Sequence, residues 1–199
     1  MWLLVIFVRD TKAKNVASLG LLQPLAIPEH VWYEISMDFI DGLPKSDGKD
    51  TIFVIVDRLS KDAHFIPLKH PYTVLLVART FLDNTYRLHG LPKTIVSDKD
   101  MISISHFWKE LFQLQKVQLH LSTTYHPQLD GQIEFVNTCL ENYLMCMCND
   151  NPKQWYFWLA FAKYSYNTNF HLAIRSTTYE VIMVSHLHCT FLTFLAVLL

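Results

Sequence analysis

The sequence predicts a single α/β domain. Its 199 residues are 51% hydrophobic and include only 5 glycines, which supplies enough apolar mass for one buried core and excludes disordered and collagen-like chains. Short β-branched runs come first and segments with helical periodicity follow, in the order βββαβαβαα. Strands and helices in this order favour a mixed central sheet of five strands flanked by helices.

Strands are predicted wherever short apolar runs are bounded by turn-forming residues. The turns DGLPKSDG and RLSKD separate the first three runs, as expected for a meander of neighbouring strands. A fourth run follows the first helix, and a fifth follows the second. The five strands are predicted at 35–40 (ISMDFI), 51–57 (TIFVIVD), 63–68 (AHFIPL), 94–97 (TIVS) and 117–121.

Four segments carry apolar residues at helical spacing. The first ends at the turn HGLP, because glycine and proline do not continue a helix. The last begins with proline at its first helical position, where the missing N–H costs nothing. The helices are predicted at 73–88, 105–115, 131–148 and 152–167.

The net charge argues against a surface that is basic throughout, and the cysteine spacing argues against a secreted disulfide framework. Lys plus Arg (17) against Asp plus Glu (18) leaves a net charge of -1, so any polyanion has to be met by a local basic patch. The 4 cysteines lack paired CxxC spacing, which is typical of reduced thiols in an intracellular protein. The apolar ends, 1–8 and 189–199, lack the features of an export signal and the length of a membrane span, so no membrane partner is predicted.

Three acidic residues stand where buried or half-buried acids are uncommon. Asp38 interrupts the apolar run ISMDFI, Asp98 follows TIVS, and Glu134 lies near the start of the long predicted helix. Desolvating a carboxylate in mid-strand is costly, so such a residue is paired, metal-bound or on a solvent-facing edge. Taken singly, Asp38 is equally well explained as a polar residue on an open strand face, and Asp98 as the cap of a turn.

Six sequence blocks, in order, resemble the integrase core of gypsy-type long-terminal-repeat retrotransposons, which is similar to retroviral integrases. They lie between about residues 22 and 180: ISMDFIDGLP, TIFVIVDRLSKDAHFIPL, LHGLPKTIVSDKD, SHFWKELFQ, YHPQLDGQIEFVN and FAKYSYNTNFH. The resemblance implies an RNase H-like fold. It also implies that Asp38, Asp98 and Glu134 are the DDE triad and converge at one edge of the sheet.

The resemblance implies two Mg²⁺ (or Mn²⁺) ions on these three carboxylates, and no zinc. Two carboxylates about 4 Å apart repel by about 4 kcal/mol at an effective dielectric near 20, so a cation is needed to keep them ionised together. Two hard divalent ions can activate a water or a DNA 3′-hydroxyl and stabilise the leaving oxygen. The implied partners are the DNA ends of the element, target DNA and further copies of the chain, and the reaction implies the nucleus.

Lys99, next to Asp98, is predicted to contact a DNA phosphate, against the simpler role of a solvated side chain. Five polar residues around Glu134 match the mobile loop and helix start of the family and are also predicted to contact DNA. They are Tyr125, His126, Gln128, Gln132 and Asn137. Ordinary turn and cap roles explain them equally well, and His126 lacks the partners that a zinc site needs. Further phosphate contacts are considered for Arg58, Lys61 and Lys93, against the simpler role of solvated side chains. His64, in KDAHF, matches the family, although a lone strand histidine favours a structural role.

The chain departs from the family at both ends and within the core helix. Residues 1–21 are expected to be a divergent lead-in without the zinc-binding module of the family, 22–180 the core, and 181–199 a divergent apolar tail. Thr138 and Met145 are uncharged where the family is often basic, which weakens DNA binding. Two alternatives to an active transferase therefore stay open. One is a non-catalytic relic that keeps a nucleic-acid-binding fold, and the other is a nuclease for RNA:DNA hybrids, which needs a fourth acid such as Glu141.

Overall fold

Four strands form a mixed sheet at the centre of the computed structural model, which describes residues 28–97, 127–149 and 151–185, with the backbone alone for 127–130. They are β1 (Glu34–Ile40), β2 (Thr51–Asp57), β3 (Ala63–Leu68) and β4 (Thr94–Ser97). The strand order is β3-β2-β1-β4, with β4 parallel to β1 and the other pairs antiparallel. The mixed sheet and these four predicted strands are confirmed. The predicted fifth strand, 117–121, and the predicted helix 105–115 lie outside the described residues.

Within these described residues, three helices pack on the sheet: α1 (Val74–Phe81), α2 (Pro127–Cys148) and α3 (Trp155–Thr168). The Oγ1 of Thr73 caps α1 by accepting a hydrogen bond from the backbone N of Leu76 at 3.2 Å. The three predicted helices at 73–88, 131–148 and 152–167 are confirmed, with two local differences. Residues Pro152–Gln154 are a 3₁₀ turn before α3, and α2 begins at Pro127, ahead of the predicted start at 131.

The polypeptide after α1 changes its helical pattern. A π-helical segment, Leu82–Tyr86, follows α1 directly and leads into a last α-helical turn, Arg87–His89. The helix stops at Gly90, whose φ of 80° and ψ of -167° belong to a region that is essentially restricted to glycine. Gly90 therefore ends the helix as the HGLP turn predicted.

Two apolar cores cover the two faces of the sheet, and β2 supplies both because all of its residues are buried. On one face, Val54 and Val56 pack with α2 and α3, among residues that include Leu140, Leu144, Trp155 and Leu159. On the other face, Phe53 and Ile55 pack with α1, among residues that include Val77, Ala78 and Phe81. The alternation of side chains along a strand explains this division.

The last described residues form a small two-stranded sheet, β5 (Phe170–His171) with β6 (Ser176–Thr177), and then a helical segment, 178–185. A capping box starts this segment. The backbone N of Thr177 donates to Glu180 Oε2 at 3.0 Å, and the backbone N of Glu180 donates to Thr177 Oγ1 at 3.1 Å. Among the helices that the structure describes, none combines the length and the apolar character needed to cross a bilayer.

Candidate functional site

Asp38 is a buried carboxylate on the central strand pair. It lies on β1 opposite Val54 of β2, is 4% exposed, and faces the side of the sheet that α2 covers. Its Oδ1 accepts a hydrogen bond from the backbone N of Phe39 at 2.7 Å. Its Oδ2 accepts one from the Nδ2 of Asn137 on α2 at 2.6 Å. Burial without partners would be costly, so these bonds fix the carboxylate in one orientation.

The contact between Asp38 and Asn137 places the middle of α2 against β1. Asn137 is itself buried, at 6% exposed. Glu134 lies three residues earlier on the same helix, and residues at this spacing are neighbours on a helix surface. Glu134 is exposed. One buried and one open carboxylate, both oxygen donors, are thus brought to the same face of the sheet.

β4 runs beside β1 and ends at Ser97, the residue before Asp98. Its register pairs Ser97 with Met37, the residue before Asp38. Asp98 follows Ser97 in the chain and lies outside the described residues, as do Lys99, Tyr125 and His126, and the side chain of Gln128. The predicted convergence of all three acids stays a prediction.

Gln132, a predicted DNA contact, is held by the turn between β2 and β3. Its Oε1 accepts a hydrogen bond from Lys61 Nζ at 3.1 Å, and its Nε2 donates to the Asp57 carbonyl at 3.3 Å. Lys61 also donates to the Arg58 carbonyl at 2.7 Å. Burial, followed by the charge of Arg58, lowers the pKa of Lys61. These bonds join the first turns of α2 to the sheet.

The basic residues considered as phosphate contacts each have a partner within the protein. Arg58 forms an ion pair with Glu34, and Lys61 is bonded to Gln132. The Nζ of Lys93 lies 4.4 Å from the ring centroid of Tyr33. Contact of these residues with DNA stays a prediction.

A second cluster of polar side chains, which the sequence did not reveal, lies at the edge strand β3. The Nε2 atoms of His64 and His89 are 3.0 Å apart, and Asp62 Oδ2 is 3.7 Å from His64 Nε2. Lys163 Nζ is 3.0 Å from His64 Nδ1. Burial raises the pKa of the Asp62 carboxyl to about 7, against the opposing effect of Lys163. Burial, with the adjacent charge of Lys163, lowers the pKa of His64 to about 2.

One sequence feature could have indicated this second cluster, namely the spacing of Asp62 and His64. Asp62 and His64 are two residues apart in KDAHF, a spacing that puts both side chains on one side of a strand. His89 comes from the end of the helix that follows, and no local pattern connects it to β3. The structural role favoured for His64 agrees with its burial, at 3% exposed.

Sequence comparison relates this chain to transposon polyproteins. It matches no protein-family model. It is 36% identical over 171 residues to the Transposon Tf2-3 polyprotein of Schizosaccharomyces pombe, and equally to the Tf2-4 polyprotein of the same yeast. The match covers 86% of this chain but only 13% of the length of either polyprotein.

Structure comparison relates the fold to integrase catalytic cores. The catalytic core domain of HTLV-2 integrase, in complex with magnesium, is similar with a TM-score of 0.57 at 20% identity, over 75% of this chain and 95% of that one. The simian T-cell lymphotropic virus intasome, in complex with PP2A regulatory subunit B56 gamma, gives a TM-score of 0.65 at 18% identity, over 83% and 59%. The catalytic core domain of BIV integrase gives 0.56 at 20% identity, over 80% and 99%. The fold is therefore the RNase H-like fold predicted from the sequence.

Proposed function

We propose that this chain, which is similar to the Tf2 retrotransposon polyproteins in sequence and to retroviral integrase catalytic cores in fold, is the polynucleotidyl transferase core of a DNA-integrating element. The reactions proposed are trimming of the 3′ ends of the element's DNA and their transfer into target DNA. One observation carries the proposal. The buried carboxylate of Asp38 is held by Asn137, one helical turn from the exposed Glu134.

Asp98 is proposed as the third acid because chain geometry limits its distance from Asp38. Met37 and Ser97 are paired neighbours on β1 and β4. Paired strands are about 4.8 Å apart, and the next Cα of each chain is about 3.8 Å further on. Asp98 is therefore proposed to lie near enough to Asp38 to share an ion with it.

Asp38, Asp98 and Glu134 are proposed to hold two Mg²⁺ (or Mn²⁺) ions, and no zinc. Carboxylate oxygens are hard donors, which suits these ions better than softer metals. When bound, the ions supply charge stabilisation to an in-line attack on a phosphodiester. The protein contributes two carboxylates of different character. Asp38 is fixed in orientation, and Glu134 is solvent-exposed and accessible to an ion that also binds a phosphate.

DNA is the proposed partner, and the residues proposed to touch it are Lys99, Tyr125, His126, Gln128, Gln132 and Asn137. For two of these the contacts described above add a positioning role. Asn137 orients Asp38, and Gln132 fixes α2 to the turn after β2. We propose nuclear action, because the target DNA is there.

Self-association is proposed because α3 carries an exposed aromatic stripe. Phe157, Phe161 and Tyr164 share one side of the helix and are 62%, 50% and 71% exposed. Exposed aromatic patches of this kind mark interaction sites. The HTLV-2 integrase core is described in dimeric and trimeric forms, so a second copy of this chain is the partner proposed for the stripe.

The core that carries these sites is proposed to extend over residues 22–180, between the divergent segments 1–21 and 181–199.

The deciding experiment measures metal-dependent DNA joining. The full chain is incubated with Mg²⁺ or Mn²⁺ and labelled long-terminal-repeat end oligonucleotides, with a pre-branched DNA for the reverse reaction, disintegration. We expect weak strand transfer or disintegration in the parent. Glu134→Gln should reduce it at least about a hundredfold, since metal-borne charge stabilisation is worth several kcal/mol. Asp83→Asn, at an exposed acid on the π-helical segment, is the matched control and should be unaffected.

Two results would count against the proposal. Metal-dependent product that is unchanged by Glu134→Gln would exclude the triad. Binding of DNA without product under all conditions would favour the alternative, a catalytically inactive relic that keeps an RNase H-like nucleic-acid-binding fold. Thr138 supports that alternative. It carries no positive charge with which to bind a phosphate, and its hydroxyl donates to the Glu134 carbonyl at 2.8 Å.

A further inference from the structure

The second cluster contains three side chains of metal-ligating type. Asp62 precedes β3, His64 lies within β3, and His89 ends the helical turn before Gly90. One ligand atom from each lies within 4.8 Å of the others. We propose that Asp62, His64 and His89 bind one divalent transition-metal ion of the Zn²⁺ class, at a site separate from the proposed catalytic acids.

The spacing of the ligand atoms suits a tetrahedral ion. Zn²⁺ binds nitrogen and oxygen ligands at about 2.0–2.2 Å, which in tetrahedral geometry sets neighbouring ligand atoms about 3.3–3.6 Å apart. The distances from His64 Nε2 to His89 Nε2 and to Asp62 Oδ2, 3.0 and 3.7 Å, bracket this value. Two imidazoles and one carboxylate form a common zinc ligand set and leave a fourth position for water. Two imidazole nitrogens also favour this class of ion over Mg²⁺.

The rings are held in place before any ion arrives. The indole of Trp32 is stacked on His89, with ring centroids 3.9 Å apart and an interplanar angle of 9°. The same indole meets His64 edge-on at 5.0 Å. Asp62 and His64 are buried, whereas His89 is partly exposed and gives the ion a route from solvent. Fixed rotamers around a site of this kind lower the entropy lost on binding.

Lys163 opposes the ion and thereby offers a specific test. Its Nζ lies 3.0 Å from His64 Nδ1, although the two residues are 99 positions apart in the sequence. The ammonium group repels a cation, and its hydrogen bond to Nδ1 leaves the ring proton on Nε2, the atom that the ion requires. Removal of the Lys163 charge should therefore tighten metal binding, which is opposite to the effect of removing a ligand.

The site would join the edge of the sheet to the segment that leads to β4. His64 projects from β3 to the α1 side, where Ile55, its partner on β2, lies in the α1 core. Asp38 faces the α2 side, so the two sites lie on opposite faces of the sheet. The proposed ion is accordingly a structural link and has no part in the transfer reaction.

The test is equilibrium titration of the full chain with Zn²⁺, followed by calorimetry and by thermal unfolding, and with Co²⁺ for its visible absorption. Excess Mg²⁺ is present throughout, to occupy carboxylate sites. We expect one equivalent bound, with a raised Tm. His89→Gln should weaken binding at least about tenfold, and Lys163→Met should strengthen it. Equal Zn²⁺ binding by the parent and His89→Gln would overturn the proposal, as would weaker binding by Lys163→Met.

Controls separate this site from other ligands in the chain. His30→Gln removes an exposed histidine outside the cluster, and Cys146→Ser removes an exposed thiol; both should bind as the parent does. Asp62→Asn is a second ligand variant, in case His89→Gln unfolds, and should also lose binding. Glu134→Gln should bind Zn²⁺ normally, so failure of the zinc site and failure of the proposed transferase site are told apart.

Discussion

The two faces of the sheet each hold a buried carboxylate, but they treat it differently. On the α2 face, Asp38 accepts hydrogen bonds from a neutral amide and a backbone N–H. On the α1 face, Asp62 lies among two histidines and has the charge of Lys163 nearby. The second ligand proposed at the ion of Asp38 is the carboxylate oxygen of Glu134, whereas the ligands proposed beside Asp62 are two histidine nitrogens. Both carboxylates are buried, so the ions proposed for them differ because their neighbours differ.

The largest effect expected from this comparison is on DNA joining. Asp38→Asn removes a proposed metal ligand and should lower the rate about a thousandfold, because several kcal/mol of charge stabilisation are lost. Asp62→Asn makes the same chemical change on the opposite face and should change the rate less than about threefold. Strand-transfer rates of both variants in Mn²⁺ provide the measurement, and equal losses would erase the distinction between the faces.

The next effect concerns the residue that orients Asp38. Asn137→Ala leaves Oδ2 of the buried carboxylate without this donor, which should cost about 1–3 kcal/mol of unfolding free energy. We expect a fall in kcat of about tenfold with little change in KM, since the metal ligand itself remains. Asn137→Asp keeps the shape but sets a second carboxylate against Asp38, and should lose more. Urea unfolding and steady-state kinetics test this, and an effect on KM alone would contradict a positioning role.

A third effect is on the pH dependence of stability in EDTA. The pKa of Asp62 in the folded protein, about 7, lies above its ordinary 3.8, so the unfolded state loses its proton first and stability falls as pH rises between these values. The pKa of His64, about 2, lies below its ordinary 6.5, so stability rises with pH between those values. The two trends oppose each other from about pH 4 to 6.5.

Asp62→Asn removes the contribution of Asp62 and leaves that of His64, while Asp57, whose pKa burial also raises, remains in both proteins. The unfolding free energy of the variant should therefore rise with pH more steeply than that of the parent, by up to about 1.4 kcal/mol per pH unit. Urea unfolding at pH 4, 5 and 6 gives the two slopes. Parallel slopes would mean that Asp62 titrates alike in the folded and unfolded states.

The smallest effects are those of two glycines on the two faces. Gly90→Ala should destabilise the protein by about 1–3 kcal/mol, because the glycine-only backbone at the helix end would be strained although nothing lies within 4 Å of an added Cβ. Gly131→Ala, within α2 and equally uncrowded, should stabilise it by about 0.5–1 kcal/mol. Thermal unfolding resolves both, and shifts of the same sign would argue against the backbone geometry at Gly90.

Local pattern was sufficient for most of the fold. The strands carried β-branched runs with turns between them, and each of the four that lie in the described residues begins and ends within one residue of its prediction. The π-helical segment Leu82–Tyr86 was not predicted, because apolar residues at helical spacing do not distinguish a π turn from an α turn. Strands β5 and β6 were not predicted, because two residues per strand are too few to show an alternation of apolar and polar side chains.

The candidate site divides in the same way. Asp38 and Glu134 were predicted as site residues from the motifs in which they stand, and that role stays a prediction, whereas the hydrogen-bond partner of Asp38 could not be read from the sequence. Asn137 was predicted to touch DNA, and its bond to Asp38 joins residues 99 positions apart. His89 was interpreted only as part of a helix-ending turn. Its approach to His64 depends on how a helix end packs against a strand, which no local pattern encodes.

The length of α2 has a mechanical consequence. The helix has 22 residues and is about 33 Å long, and Leu144, deep in the core, lies about 15 Å along it from Glu134. The helix is a stiff rod that is also held near Glu134, by Gln132 and Asn137, so a change at Leu144 tilts it about these contacts. Substitutions at remote apolar positions of this rod can therefore misalign an acidic group that they never touch.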